Sequence, residues 1–217
     1  MKVLITGTSK GIGKATAELF LAEDHEVIGI DREESSISHK NYTHFTVDVR
    51  DTYMYPDIKD VEVLINNAGV QNEDDININL MGTINITEKY GIQPSIKSIL
   101  NVASVSAHNG AEFPVYCASK GGMLAYTKNT ALRVAQYGAT CNSISPGGVT
   151  TELNQPVMDD PVLWKEIMKL TPLKKWASAE EIATWIYFLT VVNKSMTGQD
   201  IIIDNGETTD AHFVWIK

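Results

Sequence analysis

Residues 3–13 read VLITGTSKGIG, and this stretch decides the fold. A short β-branched run, Val3 to Ile5, predicts a strand. It leads into the glycine-rich turn Thr6 to Gly13, after which an amphipathic helix begins. Glycines permit a tight turn and a close approach of the backbone to a ligand, and free amides at a helix N-terminus attract phosphate. The spacing G-x-x-x-G-x-G also suits a plain strand-to-helix connection, but its place after the first strand favours a phosphate-binding turn.

Six further short apolar runs, bounded by Gly, Asn or Asp, predict strands along the rest of the chain. Helical patterns lie between several of them, including a long one from Tyr116 through Gln136. Such alternation predicts parallel strands joined by crossover helices, and continuous apolar strands indicate a sheet covered on both faces. We therefore predict an α/β chain with one domain, residues 1–217, built on a doubly wound Rossmann sheet of about seven strands. The six runs are Val27 to Ile30, Phe45 to Val47, Val61 to Ile65, Ile99 to Ala103, Cys141 to Ile144 and Ile201 to Ile203.

The composition is that of a globular chain and excludes several classes of protein. Of the 217 residues, 43% are hydrophobic and 21% are charged, which excludes disordered and collagen-like chains. The formal net charge of -9, without a basic block, argues against a nucleic-acid partner. No apolar run approaches the roughly 20 residues of a membrane span, and MKVLITG lacks a leader pattern, so we expect a cytoplasmic protein. The histidines and cysteines lack metal-ligand spacing, so we expect no metal.

Asp31 ends the second predicted strand, 24 positions after Gly7. A carboxylate at this point can accept hydrogen bonds from both ribose hydroxyls of an adenosine. This favours NAD as the cofactor, because a phosphate on the ribose would meet the negative charge of Asp31. Lys10 and Arg32 lie close enough in sequence to soften that repulsion, so NADP remains an alternative. An aspartate here can also be a solvated turn residue.

Tyr116 and Lys120 lie four residues apart on the long predicted helix, so their side chains share one face. A phenol with its ordinary pKa of about 10 is a poor proton carrier at neutral pH. A neighbouring ammonium and the positive nicotinamide of an oxidised cofactor both favour the phenolate, so we expect a lowered pKa for Tyr116. Tyr116 is then a candidate general acid and base, and Lys120 a candidate ligand of the nicotinamide ribose. The pattern Y-x-x-x-K also describes an ordinary pair on a helix surface.

Together these stretches resemble the classical branch of the short-chain dehydrogenase/reductase family. The resemblance runs from about residue 2 to Gly206 and keeps the family's order of motifs. In this family a serine after the fifth strand bonds the substrate oxygen. Ser104 matches that serine by its interval from Tyr116, and Ser106 is a rival. The matching stretches are Thr6 to Gly13, Asp48-Val49, Asn66-Asn67-Ala68-Gly69, Asn79, Ser104, Tyr116 with Lys120, and Pro146 to Thr151.

The resemblance also implies the remaining site residues. Asn79 resembles the asparagine that holds a water beside the catalytic lysine. Asn66 to Gly69 resembles a segment that lies under the adenosine and stabilises the sheet, and Pro146 to Thr151 a segment beside the nicotinamide. The implied catalytic set is Asn79, Ser104, Tyr116 and Lys120. The implied cofactor contacts are Gly7, Ser9, Lys10, Gly11, Ile12, Gly13, Asp31, Arg32, Asp48, Val49, Asn67, Ala68, Gly69, Tyr116, Lys120, Pro146, Gly147, Val149 and Thr151.

The function that the resemblance implies is interconversion of a secondary alcohol and a ketone by hydride transfer with a nicotinamide cofactor, NAD(H) by preference. Tyr116 would give its proton to the carbonyl oxygen while Ser104 holds that oxygen. A dinucleotide sensor without chemistry is one alternative. The expected partners are a small alcohol or ketone and further copies of the chain, as a homodimer or homotetramer. The other alternative is an NADPH-dependent 3-oxoacyl-thioester reductase, whose acidic carrier would meet lysines 165, 169, 174 and 175.

Four segments carry expectations of their own. Residues 151–176 form the least regular stretch, and in the family this part closes over the substrate, so we expect a lid, although its apolar side chains also suit a helical core face. Only nine residues separate Gly69 from Asn79, fewer than in the family, which shortens a helix of one dimer interface. Residues 178–181 fit a capping box before a helix through Leu189. The tail, residues 213–216, is expected to pack against a neighbouring subunit rather than to fray.

Overall fold

The seven apolar runs form one parallel sheet. A computed structural model of the protein describes residues 1–111 and 113–209. The strands in this part of the chain are β1 (Lys2–Thr6), β2 (Glu26–Asp31), β3 (Tyr42–Thr46), β4 (Val63–Asn66), β5 (Ser98–Val102), β6 (Thr140–Pro146), β7 (Val149–Thr150), β8 (Ala177–Ser178) and β9 (Asp200–Ile203). Seven of them pair in parallel in the order β3-β2-β1-β4-β5-β6-β9, which confirms the predicted sheet, and β7 pairs with β8 separately.

The order of the strands reverses at β1. The chain first builds outward from β1 to β3 and then returns to place β4 on the other side of β1. At such a switch point the connections after the two neighbouring strands leave in opposite directions, which opens a crevice at the carboxyl ends of the strands. Gly7 and Asn67 directly follow β1 and β4. The topology therefore brings two of the predicted motifs to one edge of the sheet.

Helices cover both faces of this sheet. The α-helices of the described residues are α1 (Gly11–Ala22), α2 (Thr83–Tyr90), α3 (Ser106–Asn109), α4 (Pro114–Val134), α5 (Gln155–Met158), α6 (Pro161–Leu170) and α7 (Ala179–Tyr187). Wider π-helical turns occur at Ile76–Gly82 and Phe188–Val192, and short 3-10 turns at Thr52–Met54, Ala135–Tyr137, Glu152–Asn154 and Glu207–Thr209.

The core has two layers because alternate strand residues point to opposite faces. Val3 and Ile5 of β1 pack with Phe20 of α1 and with α7 on one face. Leu4, between them, packs with α2 and with Val134 of α4 on the other face. Each fully buried side chain of this size contributes about 1.5–3 kcal/mol. The continuous apolar strands of the sequence are explained by this burial on both faces.

The helix α7 begins as predicted and ends earlier than predicted. Ser178 Oγ accepts a hydrogen bond from the Glu181 amide at 3.2 Å, and Glu181 Oε2 accepts one from the Ser178 amide at 2.9 Å. These two bonds confirm the capping box. Regular α-helix stops at Tyr187, two residues before the predicted Leu189, because the chain widens there into the π turn Phe188–Val192.

Residues 151–176 lie outside the two core layers. Neither α5 nor α6 contains a buried residue, so the alternative of a helical core face is not observed. Trp164 of α6 packs edge-to-face against Trp176, with ring centroids 5.0 Å apart. Trp176 in turn lies against Gly148, where an added Cβ would come within 2.0 Å of its ring. One end of this segment is therefore fixed to the loop after β6.

Three further expectations concern the tail, membrane spans and metal sites. The tail, residues 213–216, lies outside the described residues. In the described part of the chain, no helix combines the length and the apolar character needed to cross a membrane. Within residues 1–111 and 113–209, no group of three or more His, Cys, Asp and Glu side chains is arranged to hold a metal ion.

Candidate functional site

A cavity of about 400 Å³ lies at the carboxyl ends of the central strands. It collects residues that are far apart in the chain, from the first glycine turn to the loop after β6. Ser9, Gly13 and Asn79, which the sequence also predicted, do not line it. The predicted residues that do line it are Gly7, Lys10, Gly11, Ile12, Asp31, Arg32, Asp48, Val49, Asn67, Ala68, Gly69, Ser104, Tyr116, Lys120, Pro146, Gly147, Val149 and Thr151.

The glycine turn is built so that only glycine fits. Gly7 and Gly11 have φ angles of 75° and 56°, in the left-handed region that other residues rarely adopt. A Cβ on Gly13 would lie 2.0 Å from the Gly7 carbonyl oxygen. Gly13 therefore lets α1 pack onto the turn rather than lining the cavity. No side chain caps the N-terminus of α1, so its amides are available to an anion.

Asn67 ties the loop after β4 to the glycine turn. Its Nδ2 donates hydrogen bonds of 3.0 Å to the carbonyl oxygens of Thr6 and Gly7. The amides of Asn67 and Ala68 both donate to Thr6 Oγ1, also at 3.0 Å. These bonds connect the two neighbouring strands at the crevice, so Asn67 supports the floor of the cavity as well as lining it.

Asp31 stands at one end of the cavity with its carboxylate held by the backbone. Oδ2 accepts a hydrogen bond from the Ser9 amide at 2.9 Å, and Oδ1 accepts one from the Glu33 amide at 3.0 Å. Ser9 does not line the cavity, but its amide helps to hold the Asp31 carboxylate in place. Its hydroxyl donates a hydrogen bond of 2.9 Å to the Glu33 carbonyl oxygen. A carboxylate fixed in this way is preorganised to accept hydrogen bonds from a ligand.

The two cations near Asp31 are already paired with carboxylates. Lys10 Nζ lies 2.8 Å from Glu33 Oε1, and Arg32 Nη1 lies 3.9 Å from Glu73 Oε2. Both glutamates line the cavity, and sequence reasoning missed both. Glu33 stands two positions after Asp31 in the run DREE. This cluster of acidic residues was the sequence signal that could have indicated Glu33 as a site residue. Lys10 and Arg32 are therefore not free to offset the negative charge of Asp31.

Asp48, one of the implied cofactor contacts, is held in place by an arginine. Arg50 Nε and Nη2 donate to its two carboxylate oxygens at 3.0 and 2.7 Å. Hydrogen bonds from Arg50 hold the pKa of Asp48 below its usual range. Arg50 also reaches Asp74 at 3.0 Å, so one guanidinium bridges the loop after β3 and the segment before the π turn Ile76–Gly82.

Ser104, Tyr116 and Lys120 meet at the other end of the cavity. Lys120 is buried, and its Nζ donates a hydrogen bond of 2.8 Å to the Val102 carbonyl oxygen at the end of β5. The same Nζ lies 5.8 Å from the centre of the Tyr116 ring. Ser104 lines the cavity and lies close enough to Tyr116 to lower its pKa, whereas Ser106 does not line the cavity. The geometry therefore favours Ser104 over its rival.

The protonation of this pair differs from the sequence expectation. Burial raises the pKa of Tyr116, the nearby Ser104 hydroxyl only partly opposes this, and the negative charge of Asp75 raises the pKa further. The expected lowering by the Lys120 ammonium is therefore wrong for this structure. Burial lowers the pKa of Lys120 itself to about 8, and Asp75 acts in the opposite direction. Desolvation of both side chains outweighs their mutual influence.

Asn79 lies behind the cavity in the π turn Ile76–Gly82. Its side chain is fully buried: Oδ1 accepts from the Val70 amide at 2.8 Å, and Nδ2 donates to the Val70 carbonyl oxygen at 2.9 Å. Nδ2 also donates to Ser119 Oγ of α4 at 3.1 Å. A Cβ on Gly69 would lie 3.2 Å from Asn79 Oδ1 and 3.4 Å from Lys120 Nζ. Asn79 and Lys120 thus approach each other over Gly69.

The comparisons with known proteins agree with this arrangement. A family model described as enoyl-(acyl carrier protein) reductase matches residues 7–208. The chain is 30% identical to a 3-oxoacyl-[acyl-carrier-protein] reductase, FabG, of Chlamydia pneumoniae, in an alignment that covers 95% of this chain and 96% of that protein.

Solved structures share the fold over nearly the whole chain. A short chain dehydrogenase family protein from Francisella tularensis has a TM-score of 0.84 at 28% identity, covering 96% of this chain and 99% of that one. A 4-hydroxyisoleucine dehydrogenase complexed with NADH has a TM-score of 0.85 at 25% identity, with coverage of 97% and 99%. ElxO with NADP bound has a TM-score of 0.83 at 26% identity, with coverage of 96% and 99%. The chain is therefore an oxidoreductase that belongs to the classical short-chain dehydrogenase/reductase family.

Proposed function

We propose that the protein interconverts a secondary alcohol and a ketone with NAD(H) as the cofactor. One observation carries the proposal: a single cavity has the glycine turn and Asp31 at one end, and Ser104, Tyr116 and Lys120 at the other. A nicotinamide cofactor bound along it supplies the hydride chemistry. The residues present fit such a cofactor, because the amides at the N-terminus of α1 are uncapped and the Asp31 carboxylate is fixed.

The preference for NAD(H) over NADP(H) is supported by the charges at the Asp31 end. Four carboxylates line the cavity there, and three nearby cations, Lys10, Arg32 and Arg50, are each engaged by one of them. A phosphate on the ribose would therefore meet the charge of Asp31 without a free cation beside it to offset the repulsion. The four carboxylates belong to Asp31, Glu33, Asp48 and Glu73.

The acid/base work falls to Tyr116. In reduction its hydroxyl donates a proton to the carbonyl oxygen, while Ser104 holds that oxygen by a hydrogen bond. Lys120, anchored on Val102, places a positive charge beside the phenolate that forms, which stabilises it. Asn79 fixes the loop at Val70 and the face of α4 at Ser119, so it maintains the spacing between these groups.

Residues 151–176 act as a lid over the substrate in this proposal. Leu153 and Asn154 line the cavity directly after Thr151. The far end of the segment is tied down, because Thr171 Oγ1 and Trp176 Nε1 each donate a hydrogen bond of 3.0 Å to Glu207 Oε1. When the residues between Asn154 and Thr171 close over the cavity, they exclude water from the reacting atoms.

Two measurements test the proposal. The purified protein is titrated separately with NADH and NADPH, and the fluorescence of the reduced nicotinamide is followed. We expect NADH to bind tighter, and tighter NADPH binding would overturn the cofactor assignment. Tyr116→Phe should lose about 10²- to 10⁴-fold in turnover of secondary alcohols while it retains NADH affinity. Full turnover in this variant would overturn the role of Tyr116, and retained output without turnover would indicate a dinucleotide sensor.

An NADPH-dependent 3-oxoacyl-thioester reductase is the second candidate, favoured by the 30% identity to the reductase of Chlamydia pneumoniae. The lysines expected to meet an acidic carrier are only partly available. Lys169 pairs with Glu166 at 2.6 Å, and Lys175 pairs with Glu181. An assay of a 3-oxoacyl thioester with each reduced cofactor separates the candidates, because this one requires NADPH-linked turnover.

We also propose a homo-oligomer. Several large apolar side chains are exposed on the described surface, which is common where subunits meet. Trp185 of α7 packs edge-to-face with Phe188, and both remain more than two-fifths exposed. Ile202 is similarly exposed on β9, which forms one edge of the sheet. Size-exclusion chromatography with light scattering tests this, and a monomer would refute it.

A cytoplasmic location is proposed from cysteine chemistry. Cys141 is buried in β6, and Cys117 of α4 is partly buried; both thiols are free. Free thiols are the usual state in the reducing cytosol. Fractionation of the source cells, with detection of the protein by antibody, tests the location.

A further inference from the structure

Asp75 is a buried carboxylate without a hydrogen bond to its Oδ1 atom. It is 2% exposed, and Oδ1 has no hydrogen-bond partner among the residues that the structure describes. Its neighbours in the acidic run behave differently, since Glu73 and Asp74 are about half exposed and pair with Arg32 and Arg50. Burying a carboxylate costs free energy unless another charge compensates it. The position of Asp75 therefore needs a physical explanation.

The backbone directs Asp75 toward α4. Asp75 has helical φ and ψ angles of -56° and -40° and immediately precedes the π turn Ile76–Gly82. Residues four apart in a helical segment share a face, so Asp75 lies on the face that carries Asn79. Asn79 hydrogen-bonds Ser119 of α4, and Leu80 packs so closely on this helix that a Cβ on Gly122 would lie 2.8 Å from it.

The groups of α4 near this carboxylate are those of the proposed acid/base pair. The negative charge of Asp75 raises the pKa of Tyr116 and the pKa of Lys120. The Cys117 thiol, one residue along the helix, also raises the pKa of Tyr116, and its Sγ donates a hydrogen bond to the Ala111 carbonyl oxygen. Lys120 is thus a buried cation on the helix face against which the Asp75 segment packs.

We propose that Asp75 is a positioning residue of the active site, whose buried carboxylate is the counter-charge that keeps the Lys120 ammonium protonated beside Tyr116. The inference rests on the proposed function, because it assigns Asp75 to the acid/base pair of that reaction. Asp75 does not line the cavity, so it acts through Lys120 and not on the substrate.

The Asp75 carboxylate shifts the pKa of Lys120 and the pKa of Tyr116 in the same direction. A negative charge favours the protonated form of a neighbouring amine and of a neighbouring phenol. It therefore raises the pKa of Lys120 and the pKa of Tyr116, as the structure indicates. Removing the charge lowers both, so the direction of the shift does not depend on which group limits the rate.

The experiment compares Asp75→Asn with the wild type over a range of pH. We expect the midpoint of the kcat/KM profile to move to lower pH by about one unit, in oxidation and in reduction alike. Asp74→Asn is the matched control. It removes one negative charge from the neighbouring position, where the side chain is partly exposed. Asp75→Glu, which restores the charge, should return the midpoint toward the wild-type value. An unchanged midpoint in Asp75→Asn overturns the proposal.

A second measurement works without turnover. Tyrosine labelled with ¹³C at Cζ reports the titration of Tyr116 by NMR, with the signal assigned by its absence in Tyr116→Phe. The midpoint should be lower in Asp75→Asn than in the wild type, and an unchanged midpoint overturns the inference even if no alcohol is oxidised. Should Asp75→Asn fail to fold, the ¹³Cγ shift of Asp75 in the wild type decides: a neutral acid at pH 7 overturns the proposal.

Discussion

Lys120 Nζ donates a 2.8 Å hydrogen bond to the carbonyl oxygen of Val102, the last residue of β5. The bond fixes a buried ammonium from a helix onto the end of a central strand. It holds the charge within reach of Tyr116, whose ring centre is 5.8 Å away. The sheet itself, through one carbonyl oxygen, therefore sets the position of the positive charge in the site.

Lys120→Met is expected to reduce turnover by about 100-fold or more, because it removes the charge that stabilises the Tyr116 phenolate. The variant also leaves the Val102 carbonyl oxygen without its donor, which costs about 1–3 kcal/mol of stability. Steady-state kinetics and thermal denaturation measure the two effects. Lys128→Met, on the exposed side of the same helix, should change neither. Wild-type turnover in Lys120→Met would contradict the assignment.

Asp31→Asn is expected to weaken NADH binding by about tenfold or more, since hydrogen bonds to a charged group are worth about 1.5–3 kcal/mol. The same variant should bind NADPH more tightly than the wild type, because a carboxylate no longer faces the phosphate. Fluorescence titration measures both affinities. Asp57→Asn, at an exposed aspartate that is 81% accessible, serves as the control. A parallel loss of both cofactors would refute a selective role for Asp31.

Gly13→Ala is expected to destabilise the protein by several kcal/mol and to abolish NADH binding. The added Cβ would lie 2.0 Å from the Gly7 carbonyl oxygen, so α1 must move away from the turn. Gly121→Ala is the matched control, since the contact closest to its added Cβ is 4.0 Å away, at Ala107. In a helix interior that change should stabilise the fold by about 0.5–1 kcal/mol. Chemical denaturation of both variants gives the comparison.

Glu88→Gln tests how pH acts on the contact between α2 and α4. Arg133 donates to both carboxylate oxygens of Glu88 at 2.6 Å, and these bonds lower the pKa of Glu88. A lowered pKa in the folded state contributes stability above the ordinary pKa of a glutamate, and this stability is lost as pH falls through the folded value. Because the pair is partly exposed, we expect Glu88→Gln to cost about 1 kcal/mol at pH 7. The difference from the wild type should disappear in strong acid, and a constant difference would exclude the linkage.

The strands could be predicted because burial on both faces leaves continuous apolar runs such as Val27 to Ile30. The prediction was least accurate at β3, which runs from Tyr42 to Thr46 and not from Phe45 to Val47. This strand lies at the edge of the sheet, where side chains are only partly buried and the apolar pattern is weak.

The site could be predicted where backbone geometry dictates the residue type, as at Gly7 and Gly11. The burial of Asp75 could not be predicted. In the run Glu73-Asp74-Asp75 the first two side chains are at least partly exposed and only the third is buried. Which of them is buried depends on the packing of the π turn against α4, a tertiary feature without a local signal. The pKa of Tyr116 was mispredicted for the same reason, since desolvation is a property of the assembled site.

The attachment of Trp176 has a mechanical consequence for the lid. The indole rests on Gly148 and donates to Glu207, so the C-terminal end of residues 151–176 is pinned to the body of the protein at two points. The N-terminal end is held as well, because β7 pairs with β8 and Asn154 Nδ2 donates a hydrogen bond of 2.8 Å to the Val149 carbonyl oxygen. We expect the middle of the segment, α5 and the start of α6, to travel furthest. Hydrogen exchange should then be fastest in α5 and slowest next to Trp176.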